Sequence, residues 1–207
     1  MADQAGTFPK ILTERLRLRQ FEPKDDAGLH ACIGDANLVR YWDFSACRNI
    51  QETRSWVRVL AKTTSPDESI AWAVAEKDSD NCIGMVNYHH REPLNRRLEI
   101  GYILRSEWHG RGLMSEGVRA VMSHCLGKLN THRIAAVIHP DNAPSIRLVT
   151  RLGFACEGGP LRDYWRVGNN YMSPCFTASS PTDALHRDFR RYGRHSAVHL
   201  LIYVRSV

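Results

Sequence analysis

What the sequence lacks narrows it first. Its 207 residues hold no run of about 18 apolar residues, so no helical membrane span is expected. The start, Met1-Ala2-Asp3-Gln4, lacks the basic-then-apolar pattern of a signal peptide, and a cytoplasmic location is the expectation. Cysteine is present without a pattern. Cys32, Cys47, Cys82, Cys125, Cys156 and Cys175 are scattered and form no CxxC. That argues against a zinc cluster and a disulfide framework and leaves reduced, mostly buried thiols. A GxxxxGK[ST] phosphate loop is missing, since Gly127-Lys128 is followed by Leu129, and no GxGxxG occurs. Ser115 is not a nucleophile elbow either, because GxSxG would need glycine where Leu113 stands. No internal repeat or low-complexity tract appears.

What remains is a chain of 43% hydrophobic residues, enough for one good core and cramped for two domains. The net charge of +6 suits an anionic partner, and a polyphosphorylated cofactor is one. Much of the excess sits near the end, in Arg187, Arg190, Arg191, Arg194 and Arg205 against Asp183 and Asp188. For that tail a solvated extension is preferred to a nucleic-acid surface. His89-His90 invites a metal, but neighbours on a regular strand face opposite sides, so no metal site is expected.

Alternation near the end of Leu12-Thr13-Glu14-Arg15-Leu16-Arg17-Leu18-Arg19 marks a half-buried strand, with leucines inward and Arg15, Arg17 and Arg19 outward. Pro23 opens a helix reaching about Cys32. A second helix, near 51–61, carries Trp56, Val57, Val59 and Leu60, with Arg54 and Arg58 on its wet side. Three strands follow, at 69–76, 82–90 and 97–104, separated by turn-forming Asp78-Ser79-Asp80-Asn81 and Glu92-Pro93-Leu94-Asn95. Met114, Val118, Val121, Met122 and Cys125 then repeat at helical spacing. A strand at 133–138 and a helix from Asn142 to Leu152, stopped by Gly153, come after. The order implies a mixed, mainly antiparallel sheet with one crossover, an α+β or α/β fold.

Trp108-His109-Gly110-Arg111-Gly112-Leu113-Met114-Ser115-Glu116 is the stretch that carries chemistry. Glycines at 110 and 112 let the backbone approach a ligand closely. The helix that follows adds unpaired N–H groups and the positive end of its dipole, which together cradle a pyrophosphate. A plain strand-to-helix turn would read the same in isolation. Its company, Leu98-Glu99-Ile100-Gly101-Tyr102-Ile103-Leu104 before it and Asn142-Ala143-Pro144-Ser145-Ile146-Arg147-Leu148 after it, supplies the other parts of a cofactor site.

Together with the opening Leu12 to Arg19 and Leu152-Gly153-Phe154-Ala155-Cys156-Glu157-Gly158, these segments resemble the GNAT superfamily of acetyl-CoA-dependent N-acetyltransferases, and most its RimJ/RimL type, which acetylates protein N-termini. The resemblance covers roughly residues 8 to 176. It implies the GNAT fold, a six- to seven-stranded sheet flanked by about four helices. The family's Q/R-x-x-G-x-G/A motif falls on His109, Gly112 and Met114, and only the central glycine matches strictly. By resemblance, the backbone of Gly110, Arg111, Gly112, Leu113, Met114 and Ser115 holds the pyrophosphate. The main chain of Tyr102, Ile103 and Leu104 pairs with the pantetheine arm as another strand would. Asn142 also reaches that arm, and Arg147 or Arg111 meets the ribose phosphate, unless either is an ordinary surface residue.

The chemistry this implies needs a neutral amine, a polarised thioester and a way to stabilise the departing thiolate. Glu99 is the candidate base, because it stands where several GNAT enzymes carry a catalytic glutamate, and burial would raise its pKa toward neutrality. The alternative is a glutamate paired with Arg97. Ser145 is the candidate acid: Val149 stands where many members carry a tyrosine, and RimL-type enzymes use a serine three residues after the asparagine. A helix cap is the alternative role for Ser145. Backbone N–H groups of the central strand would polarise the carbonyl. The acceptor is a primary amine, foremost a protein N-terminus, with Tyr41, Trp42, Asp43 and Trp56 on that side as lining or as core. A non-catalytic acyl-CoA-binding or RNA-docking module on the same fold is the alternative function.

The family pattern ends near Tyr171-Met172-Ser173, and this chain runs on. Either residues 171 to 177 form the last strand, closing a single domain of residues 1–177 with 178–207 as a basic extension that could pack on a second subunit in a homodimer, or Val198 to Val204 is the last strand beyond an insertion. The extension is preferred, since Pro174 only weakens the first account.

Overall fold

The computed structural model describes residues 8–62, 67 and 69–180. An eight-stranded mixed sheet forms its centre, ordered β1-β2-β3-β4-β5-β6-β10-β7. The strands are β1 (Ile11–Leu12), β2 (Leu16–Arg19), β3 (Ile70–Glu76), β4 (Cys82–Glu92), β5 (Arg97–Leu104), β6 (Arg133–Ile138), β7 (Ala155–Gly158) and β10 (Cys175–Ser179). A separate hairpin pairs β8 (Trp165–Val167) with β9 (Asn170–Met172). Every pairing in the sheet is antiparallel except that of β5 with β6, where the crossover runs through α4 (Leu113–Lys128).

Helices α1 (Asp26–Ile33), α2 (Ala36–Val39) and α3 (Ile50–Leu60) cover one face. Their Leu29, Ile33, Val39 and Val57 pack on Ala71, Ala73, Met85 and Ile103. On the other face α4 and α5 (Ala143–Arg151) bury Val118, Val121, Leu148 and Val149 against Leu16, Trp72, Val86, Ile100 and Ile134. All five residues of the α4 stripe read from the sequence are buried. Among the described residues no helix is long and apolar enough to cross a membrane.

Several local expectations are corrected. The first strand is broken at Thr13, whose hydroxyl and backbone both bond to Leu16, so β1 and β2 are short neighbours. Arg19 is buried, 3% exposed, because Asp25 takes it bidentately at 2.7 and 2.8 Å and Asp80 takes its Nε at 3.0 Å. A charge can be buried when it is paired this fully. In α3 the inward residues are Thr53 and Val57, whereas Trp56 and Val59 are exposed. All six cysteines are free; four are buried, but Cys156 is exposed and Cys175 half-buried.

The strand after Pro174 is β10, which slots between β6 and β7 and continues to Ser179, two residues past the expected end. Tyr171 belongs to the separate hairpin instead. Residues Val198 to Val204 and the arginines of the tail lie outside the described residues.

Candidate functional site

Strand β5 is the axis of the site. Its bonding to β6 covers only Arg97, Leu98 and Glu99, opposite Arg133, Ile134 and Ala135. Past Glu99 the two strands part, and among the described residues the backbone of residues 100–104 keeps a strand partner only in β4. A strand edge left open in this way can take an extended ligand as an added strand. Tyr102, Ile103 and Leu104 lie on that edge, but the Leu104 carbonyl accepts from His109 Nε2 at 2.8 Å. Because a carbonyl only accepts, that nitrogen carries the proton. His109 therefore ties the end of β5 to the glycine loop.

The loop itself turns left-handed twice, at Gly110 (φ +77°) and Gly112 (φ +74°). Gly112 is the N-cap of α4 and offers no side chain, so no side-chain bond closes the first turn. The N–H groups of Leu113, Met114 and Ser115 therefore begin a sixteen-residue helix uncapped, in the form that suits a phosphate.

What holds this loop was not foreseen. Glu116, in the first turn of α4, accepts from the Thr13 hydroxyl at 2.6 Å, the Arg15 amide at 2.9 Å and Arg15 Nε at 2.7 Å. Arg15 also donates through Nη1 to the Arg111 carbonyl at 2.9 Å. Burial pushes the Glu116 carboxyl up, but Thr13 and Arg15 hold it below its ordinary range. The Thr13-Glu14-Arg15 stretch is thus a clamp on the glycine loop, with the Arg15 guanidinium ion-paired to Glu116. Its sequence signal was present, since these residues open the family resemblance, but the partner lies about a hundred residues away. Arg111 stacks over Trp108, 4.9 Å from the ring centroid, and Arg147 is exposed on α5.

Across the gap left by the parting strands stands the start of α5. Asn142 caps it, its Oδ1 accepting from the Ser145 amide at 3.3 Å. This leaves the Asn142 NH2 for a ligand. Ser145 is half-buried in the first turn, beside Tyr102, whose hydroxyl donates to the Ser145 carbonyl at 3.5 Å. Burial pushes the Tyr102 phenol up to about 12, with Ser145 opposing, so it remains a protonated donor at neutral pH. The Tyr41 ring stacks on His139 at 4.9 Å and its hydroxyl donates to the Asp141 carbonyl at 3.2 Å, linking the segment after α2 to the loop before Asn142.

On the α1–α3 face of the sheet, Met85 and Ile103 are opposite each other and buried. The next two pairs along, Asn87 with Gly101 and His89 with Glu99, are only half-buried, as the helical cover runs out. Trp42 overlies Gly101 and packs at a tilt against Phe44, which packs at a tilt against Trp56. Trp42 and Phe44 pack against the core beneath the helices, whereas Trp56 and Asp43 are exposed. Asn87 Oδ1 is buried without a hydrogen-bond partner, and it sits 2.5 Å from where a Cβ on residue 101 would be.

Glu99 departs from the expected raised pKa and from the pairing with Arg97. Arg97 pairs with Glu92 at 2.5 Å, not with Glu99. Glu99 instead faces His89 at 3.5 Å and His90 at 3.4 Å. Burial pushes its carboxyl up, but the two imidazoles outweigh that, and its pKa is lowered. Both rings converge because His90 adopts φ +48° within a bulged register between His89 and Glu92, which breaks the alternation of a regular strand. Burial, and then the Glu99 charge, push up the phenol of Tyr164, just before β8.

An open strand edge beside an uncapped, glycine-led helix, with an ionised carboxylate one residue pair from Gly101, is an arrangement that suits a transferase for a carrier-bound acyl group. Comparison with known proteins agrees. The model of the acetyltransferase (GNAT) domain matches residues 15–155. The uncharacterized N-acetyltransferase YoaA of Bacillus subtilis (strain 168) is 30% identical over 85% of this chain and 99% of its own length. The spermidine N(1)-acetyltransferase of Escherichia coli (strain K12) is 24% identical over 74% of this chain and 80% of its own. The RimL ribosomal L7/L12 alpha-N-protein acetyltransferase solved with coenzyme A shares the fold at TM-score 0.72 and 21% identity, over 83% of this chain and 98% of that one. The chain belongs to the GNAT family, is an N-acetyltransferase with acetyl-CoA as donor, and has the family's mixed sheet.

Proposed function

We propose that the chain acetylates a primary amine, foremost the α-amine of a protein N-terminus, in the manner of the RimJ/RimL type. The observation that carries this is the placement of Glu99, half-buried and ionised, one residue pair from Gly101 at the point where the β5 edge opens. Relatives named for ribosomal proteins and for spermidine both take primary amines. An α-amine, with a pKa near 8, gives up its proton more readily than a lysine near 10.4.

Acetyl-CoA supplies an activated acetyl group. Residues Gly110 to Ser115 would hold its pyrophosphate through backbone N–H groups, with Arg15, Arg111 and Arg147 as the nearby guanidinium groups. The open edge of β5 from Tyr102 to Leu104 and the Asn142 amide would take its arm. The fit rests on the uncapped first turn of α4 and the unpaired strand edge. Glu99, kept charged by its histidines, attracts and orients the ammonium and receives its proton. In this reading the hydroxyl of Ser145, whose carbonyl accepts from Tyr102, donates toward the departing sulfur. One transferase domain running through Ser179, with the residues beyond it as a basic extension, is the organisation this reading uses.

Thiol release from acetyl-CoA, followed with N-terminal peptides, spermidine and free amino acids, tests the proposal. Turnover is expected with peptides bearing a free α-amine and none with the same peptides blocked at the N-terminus. Coenzyme A binding without thiol release for any amine would overturn it.

A further inference from the structure

We propose that His89, His90 and Glu99 form a binding site for a borderline divalent cation, zinc foremost, and that the bound ion competes with the amine acceptor. The ligand atoms are His89 Nε2, His90 Nδ1 and a Glu99 carboxylate oxygen, all within 4.8 Å of one another. The spacing is informative. Each imidazole nitrogen stands 3.4 to 3.5 Å from Glu99 Oε2, beyond the roughly 2.7–2.9 Å of a good charge-assisted hydrogen bond. Two ligands held about 2.0–2.1 Å from a tetrahedral zinc stand roughly 3.3–3.4 Å apart. Each His–Glu separation is therefore nearer that of two ligands sharing an ion than that of direct contact, and the third separation lies within 4.8 Å.

The backbone supports the arrangement. Adjacent strand residues ordinarily face opposite sides, and the left-handed His90 inside the bulge turns its ring back to the side of His89, with centroids 4.7 Å apart. A histidine ligand commonly donates its second ring N–H to an oxygen, which fixes the tautomer. Asn87 is placed for this: its side-chain amide lies 3.4 Å from His89 Nδ1 through Nδ2, while its buried Oδ1 has no partner. Amide nitrogen and oxygen exchange on a half-turn of the side chain. After that turn Oδ1 accepts from His89 Nδ1–H, and the Nε2 lone pair points to Glu99. Side-chain exposures of 36% for His89 and 71% for His90 leave a path from solvent and a fourth position for water. Two imidazoles and a carboxylate suit zinc over magnesium or calcium, which prefer oxygen alone.

Competition with the amine rests on the proposed function, since it requires Glu99 to meet the acceptor; the binding itself does not. Calorimetry of the full chain with zinc, without acetyl-CoA or amine, should give one site that His90→Ala, His89→Ala and Glu99→Gln each weaken at least roughly a hundredfold. The exposed surface variant His132→Ala should keep it. Cobalt(II) at the site should show visible ligand-field bands without a thiolate charge-transfer band, which separates it from cysteine binding. In the transfer assay zinc should raise the apparent KM for the amine and leave that for acetyl-CoA unchanged. No binding at millimolar zinc, binding indifferent to His90→Ala, or a thiolate band would overturn the site. Zinc binding that leaves the amine KM unmoved would overturn the competition alone.

Discussion

Replacing Gly112 with alanine tests the phosphate loop directly. At φ +74° a Cβ would meet only Arg15 Nη2, at 3.7 Å, an ordinary contact, so the substitution costs no steric clash. Its cost is torsional. An L-residue in the left-handed region is less stable than glycine by about 1–2 kcal/mol. If the free loop keeps its shape, that cost appears as lost stability, partly offset by about 0.4–1 kcal/mol from the stiffer unfolded chain. Should the free loop relax to escape the strain, coenzyme A must restore it, and affinity falls by about 5- to 30-fold at 1.4 kcal/mol per decade. Gly112→Asn should lose less on both readouts, because asparagine tolerates this region. Urea melts and calorimetric titration with coenzyme A measure the two parts. An alanine variant that melts and binds as the parent does would refute the requirement for a left-handed residue at the start of α4.

Asp80→Asn should cost about 2 kcal/mol at pH 7, since Asp80 is lowered from 3.8 to about 2, with burial opposing and Lys24 and Arg19 prevailing. A lowered carboxyl stabilises fully above its unfolded pKa, so urea melts should show the gap from the parent closing as pH falls from 4 toward 2. Ser145→Ala should lower kcat with coenzyme A affinity unchanged in the same titration, because Asn142 caps α5 through the backbone amide of residue 145, which the substitution keeps. Glu99→Gln should reduce kcat/KM for the amine by about a hundredfold or more, the usual contribution of a positioned proton acceptor. Because Glu99 is held ionised, steady-state rates between pH 6 and 9 should fall without a change in the shape of the pH profile.

Strong periodicity was legible and long-range pairing was not. The bounds of β3 and β5 followed, to within one residue, from apolar runs between turn residues, whereas β4 runs through its bulge two residues beyond the expected 90 to Glu92; α4 followed from its buried stripe. The glycine loop, the open strand and Asn142 were readable as an ordered set of segments. Arg19 was misread because alternation alone sends every second residue to water, and it carries no trace of Asp25 and Asp80 waiting inside. His89-His90 was misread for the converse reason: the parity argument assumes a regular strand, and nothing local announces the bulge. Glu99 lies on β5 as the apolar pattern implied, but the direction of its pKa depended on those two neighbours. The clamp of Thr13 and Arg15 on Glu116 joins segments about a hundred residues apart, a distance no local pattern spans.

The position of β10 bears on how the chain is assembled. It alone bonds the far side of β6, and it is the sole strand partner of β7 among the described residues. During synthesis six strands can zip together in turn, while Ala155–Gly158 waits for a segment made later. A product halted at residue 174 would carry both helical layers and an unprotected β6 border, which is an invitation to self-association. Completion of the fold therefore depends on the closing stretch Cys175–Ser179, the last to leave the ribosome among the strands described.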